Sequence, residues 1–75
     1  MLKIYEFQNK HNNYLSGGFY FLEERKSDAI KVADLWARRH NKQVNSNSNY
    51  IIDFDHNTIQ VHELKRGYLP LGRSE

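Results

Sequence analysis

Apolar residues recur with two different periods along the chain, and each change of period marks an element. From Ser27 to Val44 (SDAIKVADLWARRHNKQV) the period is helical. At about 100° per residue, Ala29, Ile30, Val32, Ala33, Trp36, Ala37, His40 and Val44 share one arc of roughly 160°. Lys31, Asp34, Arg38, Asn41 and Lys42 lie opposite. On either side the period is two. Residues 2–7 (LKIYEF) and 18–22 (GFYFL) alternate and are rich in aromatic and β-branched side chains, which predicts strands. The polar, turn-rich QNKHNNYLSG (8–17) separates them. Residues 49–54 (NYIIDF) and 58–64 (TIQVHEL) form a second pair around Asp55-His56-Asn57. A two-residue turn at His56–Asn57 sets Phe54 opposite Ile59, Ile52 opposite Val61 and Tyr50 opposite Glu63, an apolar face for the helix.

The elements add up to a single α+β domain over residues 1–64. Its expected order is ββαββ: a four-stranded, mainly antiparallel sheet with one helix packed on one face. A basic and apolar tail, 65–75, follows. Ser27 stands at the N-cap position and Asp28 in the first turn. Ala29, Ala33 and Ala37 let the helix lie close to the sheet, and Trp36 is the expected buried anchor. The first hairpin is apolar on both faces. Tyr5 and Phe7 oppose Leu2 and Ile4, and Tyr20 and Leu22 oppose Phe19 and Phe21. The uncovered face calls for the tail (Tyr68, Leu69, Leu71), a second copy of the chain or a partner.

Composition narrows the classes. The chain has 75 residues and no cysteine, which excludes disulfides and thiolate metal sites. A core of this size yields only about 3–5 kcal/mol net, so association is one route to further stability. No apolar run approaches the roughly 20 residues a membrane span requires, and the first ten residues lack a signal-peptide core, so the expected location is cytoplasmic. The net charge is +2. Residues 45–64 hold Asp53, Asp55 and Glu63 without a Lys or Arg. Helix and tail hold Lys31, Arg38, Arg39, Lys42, Lys65, Arg66 and Arg73.

Candidate chemistry is sparse. DFDHN (53–57) places two aspartates beside a histidine, a conceivable hard-metal start. An HNH-type nuclease needs a further Asn and a second His beyond it, and no histidine follows Leu64. Polar turn chemistry is therefore the reading for this stretch, and no metal or cofactor is assigned. His40, on the apolar helix arc, reads as a core histidine bonded to a carbonyl. Gly17-Gly18 lacks the strand-to-helix setting of a phosphate loop. No serine–histidine arrangement suggests a nucleophile, so the chain reads as a non-enzyme.

The leading strands ending FYFL, the helix SDAIKVADLWARRH and the following NYIID with its tight hairpin resemble several small phage or mobile-element proteins, anti-CRISPR inhibitors among them. The resemblance covers residues 1–64 and lies in topology and size, so it assigns no residue. It implies a compact non-catalytic protein that blocks a larger nucleic-acid-processing host enzyme by occupying its surface. The expected function is accordingly a protein-binding module, with Tyr5, Phe7, Tyr14, Tyr20, Asp53 and Asp55 as partner-surface candidates. One alternative is a small nucleic-acid binder using Lys31, Arg38, Lys42, Lys65, Arg66 and Arg73. The other is a structural homodimer.

Overall fold

Tyr5 and Phe7 lie at the centre of the molecule because the strand that carries them, β1 (Lys3–Asn9), is the central strand of the sheet. The computed structural model describes residues 1–63. After β1 come β2 (Gly18–Glu23), α1 (Lys26–Gln43) and β3 (Phe54–Glu63). The sheet order is β2-β1-β3, and both pairings are antiparallel. The fold is α+β, with one helix against a three-stranded antiparallel sheet. The tail 65–75, with the candidate cations Lys65, Arg66 and Arg73, lies outside the described residues.

The β1–β2 register puts Tyr5 opposite Phe21 and Phe7 opposite Phe19. Because strand side chains alternate, these four face the helix, and Ile4, Glu6, Tyr20 and Leu22 face away. Ala29, Ala33 and Ala37 are all buried against the first set, together with Ile52 and Phe54. Phe7 is completely enclosed. Its ring meets Phe21 edge-on at 5.6 Å and tilts against Phe54 at 5.4 Å.

Three expectations are corrected here. The first is the second hairpin. Residues 49–53 are not a strand, so among the described residues there is no fourth strand, and the apparent turn lies inside β3. Phe54 and Asp55 pair with Asn9 and Gln8, then Gln60 to Glu63 pair with Glu6 to Lys3. Between these two runs β3 spends residues 56–59 where β1 spends only Phe7. Asp55 holds this bulge by accepting from Asn57 N at 2.9 Å and Thr58 Oγ1 at 3.2 Å, an Asx-type turn. Segment 49–53 cannot form a ladder because other groups already hold its backbone. Ile52 N donates to Asn41 Oδ1 and Asn41 Nδ2 donates to Ile52 O, both at 2.8 Å.

The second correction concerns Trp36, which is 42% exposed. Ala29, Ala33 and Ala37 define the buried line, and Trp36 sits about 60° around the helix from its centre. A helix seated on alanines leaves no room for an indole beneath it. The ring instead lies on the helix flank beside β2, 5.6 Å from Phe19 and 6.3 Å from Phe21. Trp36→Ala is therefore expected to cost about 1–2 kcal/mol, below the 3–5 kcal/mol of a buried aromatic. A thermal melt should stay cooperative with a modestly lowered midpoint.

The third is the helix start. The N-cap is Arg25, without a side-chain capping bond, and Ser27 already lies inside the helix. The expected first-turn acid, Asp28, is in place.

Candidate functional site

Two loops, residues 10–17 and 44–53, meet at one end of the sheet, and asparagine side chains join them. An asparagine amide offers both a donor and an acceptor, so it can stand in for a neighbouring backbone. Asn9, at the end of β1 and 9% exposed, makes four such bonds. Its Nδ2 donates to Leu15 O and Ile51 O, each at 3.2 Å. Its Oδ1 accepts from His11 N at 3.2 Å and Asp53 N at 3.0 Å. Asn13 repeats the device: Nδ2 reaches Ser48 O and Ile51 O, and Oδ1 accepts from Leu15 N. Backbone bonds Lys10 N to Asp53 O (2.8 Å) and Tyr14 N to Asn49 O (3.1 Å) complete the join. The helix stops where Asn45 and Ser46 adopt φ of 54° and 55°. Asparagine tolerates that left-handed region better than most residues, and the turn sends the chain back toward Asn9 and Asn13.

This frame displays aromatic side chains. Tyr14 and Tyr50, one from each loop, tilt together at 5.5 Å, 75% and 40% exposed. His40 Nε2 donates to Tyr50 O at 2.8 Å, the carbonyl bond expected of it, but the ring is half-buried at the helix flank and not in the core. The His40 ring stacks on Trp36 at 5.4 Å and 10°. Tyr14, Tyr50, His40 and Trp36 are thus linked in turn, by two ring pairs and the His40 bond to the Tyr50 carbonyl, into a partly exposed band. Beside its far end is an open cleft of about 190 Å³ lined by Trp36, Arg39, His40 and Gln43.

Two other histidines are engaged in holding the fold. His56 Nε2 pairs with Asp34 across 2.9 Å, tying the β3 bulge to the helix. His62 Nε2 meets Glu6 Oε1 at 2.8 Å, and Gln8 donates to the same carboxylate at 2.9 Å. Gly18 makes room for that carboxylate, since a Cβ there would stand 2.8 Å from Glu6 Oε2. The outward sheet face thus carries the apolar and aromatic side chains expected of the first hairpin, Ile4, Tyr20 and Leu22, and beside them a polar group of Glu6, Gln8 and His62. A shallow cleft of about 340 Å³ between α1 and residues 52–56 is lined by Asp34, Arg38, Asn41, Asp53 and His56. Among the described residues, no three His, Asp or Glu side chains converge as a metal site would require.

The six partner-surface candidates do not form one surface. Tyr5 and Phe7 are core residues, 3% and 0% exposed, because they face the helix rather than the open side. Tyr20 is half-buried on the outward face, its ring 6.4 Å from His62. Asp55 braces the bulge. Tyr14 and Asp53 do lie at the joined loops, and Asp53 is 3.8 Å from Lys10. The segment without its own cations thus receives one from the other loop. Lys31, Arg38 and Lys42 are exposed on the helix and make no ion pair among the described residues. Sequence reasoning passed over Tyr50, Trp36 and His40 as surface residues, and Asn9, Asn13 and Asn41 as their supports. The asparagine-rich runs NKHNN and NSNSN were the available signal.

No family model matches the chain, and no curated protein or solved structure does either. Among the described residues, no helix is long and apolar enough to cross a membrane.

Proposed function

We propose that this protein is a non-enzymatic protein-binding module that blocks a larger nucleic-acid-processing enzyme by occupying its surface, in the manner of small phage inhibitors. The observation that carries this reading is the aromatic band Tyr14–Tyr50–His40–Trp36 on an asparagine-bonded frame. Tyrosine and tryptophan are the usual anchors of protein interfaces, because each covers a large area with few rotatable bonds. A rigid support reduces the ordering cost paid on association. Three of the four histidines, His56, His62 and His40, are meanwhile held by Asp34, Glu6 and the Tyr50 carbonyl.

Affinity capture from an extract of the source cells, with mass spectrometry of the retained protein, tests this. Tyr14→Ala with Tyr50→Ala should keep the helical circular-dichroism spectrum and weaken capture by about tenfold or more. Undiminished capture by the folded double variant would contradict the reading.

A second reading, nucleic-acid binding, is favoured by one observation. Lys31, Arg38, Arg39 and Lys42 are exposed and unpaired among the described residues, and Arg39 lines the cleft beside the exposed Trp36 ring. A base could stack on Trp36 while Arg39 meets its phosphate and the cations on the outer helix face meet the strand beyond. Salt-sensitive anisotropy with mixed-sequence oligonucleotides, lost on Arg38→Glu, would favour this second reading.

A further inference from the structure

The two flanks of α1 differ. The flank toward β3 is polar: Asp34 bonds His56 and Asn41 bonds Ile52. The flank toward β2 is apolar and open, with Val32 at 41%, Leu35 at 43% and Trp36 at 42% exposure. Beneath it runs β2, which pairs only with β1 among the described residues. Exposed sheet edges are usually blunted by charge, proline or a bulge. The edge on β3 carries the bulge at residues 56–59. β2, GFYFLE, has no proline, and its one charge is at its last residue.

We infer that two copies of this chain join edge to edge through β2, in antiparallel register about a two-fold axis, with their α1 flanks packed together above the joint. The occupant is identified as a second copy by the charge pattern of the flank. Asp28, Val32, Leu35, Trp36 and Arg39 lie within an arc of about 100° on the helix. An antiparallel two-fold axis between Ala33 and Asp34 sets Val32 against the partner's Leu35. The same axis sets Asp28 against the partner's Arg39, and Arg39 against the partner's Asp28. Neither Asp28 nor Arg39 has an ion-pair partner among the described residues. The flank is thus complementary to itself in charge and in apolar content, as a two-fold interface must be.

The strands meet the same axis. Its position on the helix is about 11 Å from Lys26 at 1.5 Å per residue. Tyr20 is about 10 Å back along β2 from Glu23 at 3.3 Å per residue. A two-fold at Tyr20 pairs Phe19 with the partner's Phe21 on the helix side and Gly18 with the partner's Leu22 on the other. Leu22, 49% exposed, would then lie over a residue without a side chain. Glu23 falls opposite the partner's Gly17, so no like charges face each other. α1 makes more close backbone approaches to β2 than to either other strand. With strands about 4.8 Å apart, helices seated above the gap between β1 and β2 in each copy would stand about 10 Å apart across the joint, within the usual packing distance of about 8–10 Å.

Sedimentation equilibrium of the full chain, at concentrations up to about 100 μM, should show a species of twice the 9.0 kDa mass. Asp28→Arg and Arg39→Asp should each raise the dimer dissociation constant about tenfold or more, and the double exchange should restore it. Because the chain has no cysteine, introduced thiols give an independent readout. A mixture of Val32→Cys and Leu35→Cys chains should oxidise mainly to the mixed disulfide. A monomer at every concentration, a single variant that dimerises like the wild type, a folded double exchange that stays monomeric, or a statistical mixture of disulfides would each overturn the inference.

Discussion

Phe7→Ala should leave the chain unfolded at room temperature. Phe7 is 0% exposed and lies where the sheet, the helix and the incoming chain before β3 meet. Removing its ring strips the contacts with Phe21 and Phe54 and opens a cavity between the sheet and helix. Buried Phe→Ala changes cost about 3–5 kcal/mol, which is the whole net stability of a domain this small at about 3–5 kcal/mol. The alanines above cannot collapse into the gap, because their line already sets the closest approach of α1. Far-ultraviolet circular dichroism during urea titration checks this. The variant should show no folded baseline, whereas a cooperative transition near the wild-type midpoint would show that Phe7 is not the keystone of the core.

Asn9→Ala should have the next largest effect, despite removing no apolar surface. The substitution leaves the carbonyls of Leu15 and Ile51 and the amides of His11 and Asp53 without their side-chain partner. Each buried polar group orphaned in this way costs about 1–3 kcal/mol, less where water can enter. A total loss of about 2–4 kcal/mol is expected, since these groups are only partly buried. Asn9→Asp should not rescue the loss, because a carboxylate cannot donate to the two carbonyls and would repel them. Hydrogen exchange gives the more specific signature: the Asp53 amide should lose protection ahead of the β1–β2 ladder. Equal loss across the whole sheet would instead mean that the two loops do not open as a separate unit.

The contrast between these residues shows what could be read from the chain. The helix, the first two strands and the small-residue line of Ala29, Ala33 and Ala37 follow from local periodicity, and the structure places all of them within a residue or two of expectation. Asp55-His56-Asn57 reads equally as a hairpin turn or a bulge, because both want the same polar residues. The choice between them lay in what held residues 49–53. Those partners, Asn9 and Asn41, are 44 and 11 residues from the groups they bond. An asparagine that replaces a strand neighbour leaves no periodic trace. The surface was legible only in part for a related reason. Tyr5 and Phe7 looked available because the first hairpin is apolar on both faces, and only the position of the helix decides which face is covered. Trp36 looked buried because an arc of roughly 160° is wider than the strip a helix can bury when it rests on alanines.

The central claim is that the asparagine-joined end of the domain is its contact surface. Amide hydrogen exchange of the full chain, free and bound to the captured protein, tests it most directly. Binding should add protection at residues 12–16 and 47–51 and in the last turn of α1, with little change in residues 56–62 of β3. Protection confined to the β3 bulge and the outward sheet face around Glu6, Tyr20 and His62, with Tyr14 and Tyr50 unaffected, would contradict it.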